Sequence, residues 1–187
     1  ISYGTDPLNL NDVSPSFEVD EDNFSLEFDG QDDFVEIGYF DSLDISGDYS
    51  WMFDMQLYDV NTSAMLLENN SFYNLDGYFI NYVDSRLWFS ICSDATCYQY
   101  ATTENNFLNN IWYNVQIVKS NGVVSIYVDG ENVTDEVSYN ISPEEDISQY
   151  YVPNTEPLMI GLNTSGDPQP LNGKIDRIAS VSNTHLR

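Results

Sequence analysis

The chain has 187 residues, with 31 acidic and 5 basic side chains and a formal net charge of -26 at neutral pH. That length suits one large domain, and a composition that is 42% hydrophobic and 14% aromatic can build a core despite the charge. The five bases, Arg86, Lys119, Lys174, Arg177 and Arg187, are scattered. The sequence therefore offers no basic patch for nucleic-acid phosphates or an anionic membrane surface. Metal cations, cationic surfaces and neutral polymers remain as partners.

Residues 1 to 22 differ from the rest. The stretch Ile1 to Asn23 is polar and acidic, contains Pro7 and Pro15, and carries the run Glu18-Val-Asp-Glu-Asp22. It reads as an extended N-terminal arm: either a partly disordered lead-in, or a strand that pairs with a sheet edge in its own or a neighbouring subunit. The opening Ile1-Ser2-Tyr3 has no initiator Met and no apolar signal region, as expected of a processed or excised segment. The remaining residues, 23–187, form the expected domain. No run of 18 apolar residues occurs, so no membrane-spanning helix and no membrane insertion is expected.

From Ser25 onward the hydrophobic period is two. In Trp51-Met-Phe-Asp-Met-Gln-Leu57 the residues Trp51, Phe53, Met55 and Leu57 share one face, and Met52, Asp54 and Gln56 share the other. That is a half-buried strand. The same reading predicts strands at 26–28, 34–37, 65–68, 78–83, 86–92, 97–101, 111–118, 123–128, 158–160 and 175–181. Asn121-Gly122 joins two of them, and both residues tolerate the positive φ of a type I′ hairpin turn. No segment has a sustained helical period with caps, and no internal repeat is evident. The fold class is all-β, and a two-sheet antiparallel sandwich is the natural architecture.

Two cysteines lie close together in Cys92-Ser-Asp-Ala-Thr-Cys97. Four intervening residues suit a disulfide clip across the end of a hairpin, with a pair of free thiols as the alternative; a metal site would need two more ligands. Six Asn-X-Ser/Thr sequons begin at Asn23, Asn61, Asn69, Asn132, Asn140 and Asn163. They number about twice what chance would give, which fits a glycosylated extracellular surface.

Four stretches then match one family in order. They are Leu26-Glu-Phe-Asp-Gly-Gln-Asp-Asp-Phe-Val-Glu-Ile37 followed by Leu43-Asp-Ile-Ser-Gly-Asp-Tyr-Ser50; Trp112 opening a strand; Ile126-Tyr-Val-Asp-Gly130; and Leu158-Met-Ile-Gly161 with Leu171-Asn-Gly-Lys-Ile-Asp-Arg-Ile178. Together they resemble the laminin G-like, concanavalin A-like jelly-roll domains of surface proteins, over roughly Ser25 to Leu186. The resemblance implies a jelly roll in which Ile175 and Ile178 anchor the closing strand. Gly161 and Gly173 permit tight backbone geometry there. Two departures stand out: Tyr113 and Asn114 follow Trp112 where the family usually has a His, and Arg177 replaces a frequent Glu after the Ile-Asp pair.

The resemblance also bears on chemistry. Glucanase relatives carry alternating acids on one strand as general acid and nucleophile. The nearest match here, Glu18-Val-Asp-Glu-Asp22, lacks the final Glu and lies in the arm, so no catalytic residues are expected. A single histidine, His185 near the chain end, leaves no Ser-His-acid triad in prospect. Calcium is the cofactor the resemblance implies, with Asp29, Asp32, Asp33 and Asp176 as candidate oxygen ligands; the alternative is a solvated acidic turn. Trp88, Tyr98 and Tyr100 are the candidate ligand-binding aromatics, while Trp51 and Trp112 are expected in the core. Core or interface roles compete with sugar stacking for all the aromatics.

The reading is a non-catalytic extracellular or cell-surface recognition or adhesion module. It would bind a glycan or protein through loops at one rim, with calcium as a candidate cofactor. The alternative is a structural glycoprotein subunit of a filament or coat, bound to copies of itself through the arm. Nucleic acid is not an expected partner.

Overall fold

Alternating large apolar residues from Tyr49 to Leu57 make the middle of the fold. The computed structural model describes residues 25–39, 43, 45, 47–70, 76–94, 96–103, 107–135, 150, 151, 153, 155–162 and 169–182. The predicted arm, residues 1–22, lies outside them. In chain order the described strands are β1 (Leu26–Asp29), β2 (Val35–Ile37), β3 (Tyr49–Leu57), β4 (Ala64–Asn70), β5 (Gly77–Val83), β6 (Arg86–Ser93), β7 (Thr96–Ala101), β8 (Trp112–Ser120), β9 (Val123–Val128), β10 (Glu131–Asn132), β11 (Leu158–Ile160) and β12 (Asn172–Ser182). They form two antiparallel six-stranded sheets, ordered β1-β12-β3-β8-β9-β10 and β2-β11-β4-β5-β6-β7. This is the expected jelly-roll sandwich. Every predicted strand is present; the short β10 is an addition. Among the described residues no helix is long and apolar enough to cross a membrane.

Alternation along β3 turns Trp51, Phe53, Met55 and Leu57 inward, each no more than 3% exposed. The second sheet answers with Tyr78, Ile80 and Tyr82 of β5 and Leu87, Phe89 and Ile91 of β6, all buried. Aromatic contacts cross between the sheets: Tyr49 to Phe89 at 5.8 Å and Trp51 to Tyr78 at 5.9 Å between ring centroids, both tilted. Burying each such side chain is worth about 1.5–3 kcal/mol, and this sum opposes the mutual repulsion of the acidic surface.

Turn chemistry sets the registers. Asn121 and Gly122 have φ of 51° and 83° between Ser120 and Val123, which pair. That is the predicted β8–β9 hairpin. Asp84-Ser85 makes the same kind of two-residue turn between Val83 and Arg86, with φ of 51° and 61° and no glycine. Asp129-Gly130, with φ of 51° and 80°, leads straight into β10. Cys92 and Cys97 face each other across β6 and β7 and are joined by a disulfide. The clip reading of the sequence is therefore correct.

Gly161 and Gly173 have stronger reasons than turn geometry. A Cβ on Gly161 (φ 90°) would lie 2.3 Å from the Phe28 ring. A Cβ on Gly173 would lie 2.1 Å from the Gln56 carbonyl oxygen, which is backbone and cannot step aside. Gly173 therefore lets β12 lie against β3.

Gly173→Ala is expected to destabilise the protein by about 2 kcal/mol or more in urea denaturation. Gly38→Ala, with nothing within 4 Å of the added carbon, should stay within about 0.5 kcal/mol of wild type. Equal stability of the two variants would refute the contact.

Candidate functional site

Side chains alternate along a strand, so the outward face of the first sheet can be read from register. Glu27, Lys174, Gln56 and Trp112 form one row across β1, β12, β3 and β8. Asp176, Asp54 and Asn114 form the next, and Asp129 in the β9–β10 turn extends it. An open cleft of about 500 Å³ lies over these rows, lined by Trp112, Tyr113, Asn114, Asp129 and Ser25, and by Lys174, Asp176, Arg177 and Asp54. That volume falls within the range of small-ligand sites.

A hydrogen-bonded chain runs along its floor. Gln116 Nε2 donates to Asn114 Oδ1 at 2.9 Å, and Asn114 Nδ2 donates to Asp54 Oδ1 at 2.8 Å. Arg177 Nε donates to Asp54 Oδ2, and its Nη2 pairs with the same oxygen. Asp54 thus corrects the pattern reading. It points to the solvent side of β3, yet it is only 5% exposed, with Asn114 and Arg177 bonded to its oxygens. The hydrogen bond and the charge of Asp54 together raise the Arg177 pKa above its ordinary value.

Arg177 reaches Asp54 through a distortion. The register of β12 against β3 shifts between Asp176 and Ala179, and Arg177 sits in this bulge with φ 51°. Its amide is held by Asp176 Oδ1 at 2.7 Å. A side-chain-bearing residue in the left-handed region costs on the order of 1 kcal/mol. Bulges of this kind re-aim side chains beside functional sites.

Trp112 was expected in the core, but it is 42% exposed. The preceding loop is pinned from both sides. Gln56 Nε2 donates to Asn110 O at 2.9 Å, Asn110 N to Leu57 O at 2.7 Å, and Leu108 N to the Tyr113 hydroxyl at 2.9 Å. Tyr113 also packs edge-on to Phe107 at 4.9 Å. The indole therefore stands on an ordered rim.

The predicted site residues divide. Asp29, Asp32 and Asp33 come together, with one carboxylate oxygen from each within 4.8 Å of the others, all exposed. Part of this cluster serves the turn: Asp29 Oδ1 and Oδ2 accept from Gln31 N and Gln31 Nε2, and Asp33 Oδ2 accepts from Asp29 N at 3.0 Å. Asp176 is not part of that group; it lines the cleft, because Asn172, not Asp176, lies opposite Asp29. Tyr100 is 2% exposed in the core and cannot meet a ligand. Tyr98 is half-buried and stacked on Tyr150 at 3.7 Å. Trp88, also half-buried, lies on the outward face of the other sheet and donates Nε1 to Val83 O at 3.2 Å.

Of the sequons, Asn61 and Asn132 are exposed. Asn69 is 2% exposed and its Nδ2 donates to Glu156 O at 2.8 Å, so a glycan on that nitrogen is incompatible with this fold. Asn23, Asn140 and Asn163 lie outside the described residues. Sequence reasoning missed Trp112, Asp54, Asn114, Asp129, Lys174 and Arg177 as a group. Only the even-numbered parity of Trp112 with Asn114 and Gln116 hinted at it.

Residues 29–184 match the family model Laminin_G_3 of the concanavalin A-like lectin/glucanases superfamily. The chain belongs to this family. Among solved structures, this laminin G-like, concanavalin A-like domain is similar to mouse laminin alpha1 domains LG4-5, at 17% identity and TM-score 0.58 over 83% of its length. It also resembles a heptameric SAP-like pentraxin from Limulus polyphemus, at 12% identity and TM-score 0.58 over 87%. A third relative is the ligand binding domain of botulinum neurotoxin serotype D, at 12% identity and TM-score 0.61 over 82%. It spans 40% of the laminin chain, 77% of the pentraxin and 37% of the neurotoxin domain. At these identities the similarity is one of fold. No curated protein matches the sequence.

Two outcomes are expected at this face. Arg177→Ala leaves the buried Asp54 carboxylate without its cation and should lower the urea midpoint. Asp54→Ala combined with it should recover part of that loss, measured as a double-mutant cycle in urea. Simple additivity would mean the pair is not coupled. Nearby, the Tyr58 hydroxyl and then Lys174 hold the Glu27 pKa below its ordinary 4.5. A lowered folded-state pKa stabilises the fold above the ordinary value, and the gain is lost as pH falls through the lowered one. Tyr58→Phe should move the Glu27 titration back up in carboxyl-detected NMR; an unmoved midpoint would exclude the hydrogen bond.

Proposed function

We propose that this domain is a non-catalytic recognition or adhesion module of an extracellular or cell-surface protein, binding a glycan or a protein partner. The observation that carries this reading is the cleft on the first sheet, where the exposed Trp112 stands beside a row of oriented polar side chains. An aromatic face with convergent hydrogen-bonding groups is the usual chemistry of an orienting ligand site. The disulfide and the exposed sequons at Asn61 and Asn132 support an oxidising, glycosylating compartment. The neurotoxin domain of similar fold was solved in complex with N-acetylneuraminic acid, which supports a sugar by analogy of fold alone.

A binding role fits the carboxylates better than catalysis does. Glycoside hydrolysis needs one carboxyl to give a proton and another to attack or activate water. Asp54 has both oxygens committed, to Asn114 and Arg177. Asp129 Oδ1 accepts from Asn114 N at 2.8 Å, and Asp176 Oδ1 accepts from Arg177 N. Each acid of the cleft is thus engaged in holding the sheet.

Calcium belongs to the same reading. Asp29, Asp32 and Asp33 would hold it, contributing three of the six to eight oxygens the ion takes. Water completes the shell at so exposed a turn. The ion would relieve the repulsion between the three carboxylates and stiffen the β1–β2 connection.

The full chain should bind members of an array of immobilised glycans or of extracellular proteins; silence on both overturns the recognition reading. Millimolar calcium should raise the melting midpoint of wild type and leave Asp32→Asn unmoved. That variant is chosen because the turn's own hydrogen bonds fall on Asp29 and Asp33. A flat wild-type response overturns the metal site.

A further inference from the structure

We infer that Asn121, at the tip of the β8–β9 hairpin, is a site of spontaneous covalent modification, converting to aspartate and isoaspartate in the folded protein. An asparagine followed by glycine is the least hindered setting for this reaction, because the attacking residue carries no Cβ. The chain has two such pairs, Asn121-Gly122 and Asn172-Gly173. The fold separates their fates.

The step balances on the chain and water alone. The Gly122 nitrogen attacks Asn121 Cγ. A nitrogen–Cγ bond forms as the bond from Cγ to Nδ2 breaks, and the amide proton leaves with Nδ2 as ammonia. Water then opens the five-membered imide. Cleavage at Cγ gives aspartate, and cleavage at the main-chain carbonyl gives isoaspartate. Either product exchanges a neutral amide for a carboxylate.

The hairpin tip meets the requirements. Ser120 pairs with Val123, so Asn121 and Gly122 project beyond the last rung of the ladder. Among the described residues no hydrogen bond holds the Gly122 amide. Asn121 is exposed, and its carboxamide is held only through Nδ2, to Ser120 Oγ at 3.3 Å. The turn keeps φ at 51° and 83°, and ring closure needs the peptide between the two residues rotated toward Cγ. The tip must therefore open first. Two residues flanked by the exposed Ser120 and Val123 open by fraying, without unfolding of the core.

Asn172 stands in the opposite setting. It pairs with Asp29 of β1, and Gly173 pairs with Phe28 on one side and Leu57 on the other. Gly173 also lies so close to the Gln56 carbonyl that one added carbon does not fit. Rotating that peptide means parting β12 from both neighbours, which is global unfolding.

The modification acts on a specific tie. Asn121 N donates to Asp48 Oδ1 at 3.0 Å, which holds the tip to the segment entering β3. A carboxylate at position 121 repels Asp48 and weakens that tie. Isoaspartate also adds a methylene to the main chain of a turn whose register depends on two residues.

The test incubates the full chain in mildly alkaline buffer, folded and, in parallel, unfolded in guanidinium chloride. Peptide mapping by mass spectrometry follows the mass gain, and chromatography separates aspartyl from isoaspartyl peptides. In the folded chain Asn121 should convert at least about tenfold faster than Asn172, whereas the two should convert at similar rates when unfolded. Equal rates in the folded chain overturn the site, as does an Asn121 that persists folded while the unfolded chain converts. Asn121→Asp carries the aspartyl product's charge from the start. It should melt below wild type, with the gap narrowing in salt; a midpoint no lower than wild type overturns the link to Asp48. The reaction needs no ligand, so the recognition reading stands or falls separately.

Discussion

The close pairing of β12 with β3 is the constraint on which the rest depends. β3 supplies the inward row Trp51, Phe53, Met55 and Leu57 to the core. β12 inserts between it and β1, bringing the two ends of the described chain into one sheet. Gly173 permits the approach at one end of the pair. Further along, the register breaks at the bulge and throws Arg177 over the outward face. One strand pair therefore joins core packing to cleft chemistry. Its inner surface gains stability from burial, and its outer surface uses part of that stability to hold a strained backbone and a covered carboxylate.

The few cations show how so acidic a chain stays folded. Arg86 joins the start of β6 to Asp135, and Lys174 joins β12 to Glu27 on β1. Arg177 joins β12 to Asp54 on β3, and the buried Lys119 of β8 donates to Gly47 O at 3.1 Å, before β3. Every base among the described residues thus ties one segment to another. Where such a pair lies open to solvent, as Lys174 and Glu27 do, it adds little stability, so placement counts more than sum. Among the described residues most other acids are exposed, where salt screens them, and Glu68 is the buried exception. The charge of -26 therefore describes the surroundings the surface tolerates, and the cleft is one of the places where the sign is locally balanced.

Strand positions were legible because each depends on its own alternation and on turn residues beside it. Asn121-Gly122 announces its hairpin locally. Asp84-Ser85 makes an equivalent turn without glycine, which no local rule demands. The cleft was hidden for a different reason. Asp54 looks like any polar residue on the solvent side of β3; its partners Asn114 and Arg177 are 60 and 123 residues away. Trp112 invited a core assignment by size, whereas parity with Asn114 and Gln116 places it outside. Asp176 was grouped with Asp29 by chemistry alone, and only the β1–β12 register separates them. Tyr100 and Asn69 failed likewise, since burial of a strand residue is set by what the opposite sheet and the connecting loops bring to it.

Within this superfamily description, lectin and glucanase stand side by side, and one scaffold serves both. Function is therefore to be argued from the state of the carboxylates on the sheet face. An acid that is to attack or protonate needs an oxygen left for the substrate. Here Asn114 and Arg177 take both oxygens of Asp54, while Asp129 and Asp176 each use one oxygen to hold a backbone amide. Such acids are rigid acceptors whose positions are fixed before a ligand arrives. Polar groups held in this way beside one exposed indole leave little conformational entropy to be lost on docking of a ligand. Arg177 balances the charge of Asp54, the central carboxylate of the face, and brings guanidinium donors to it.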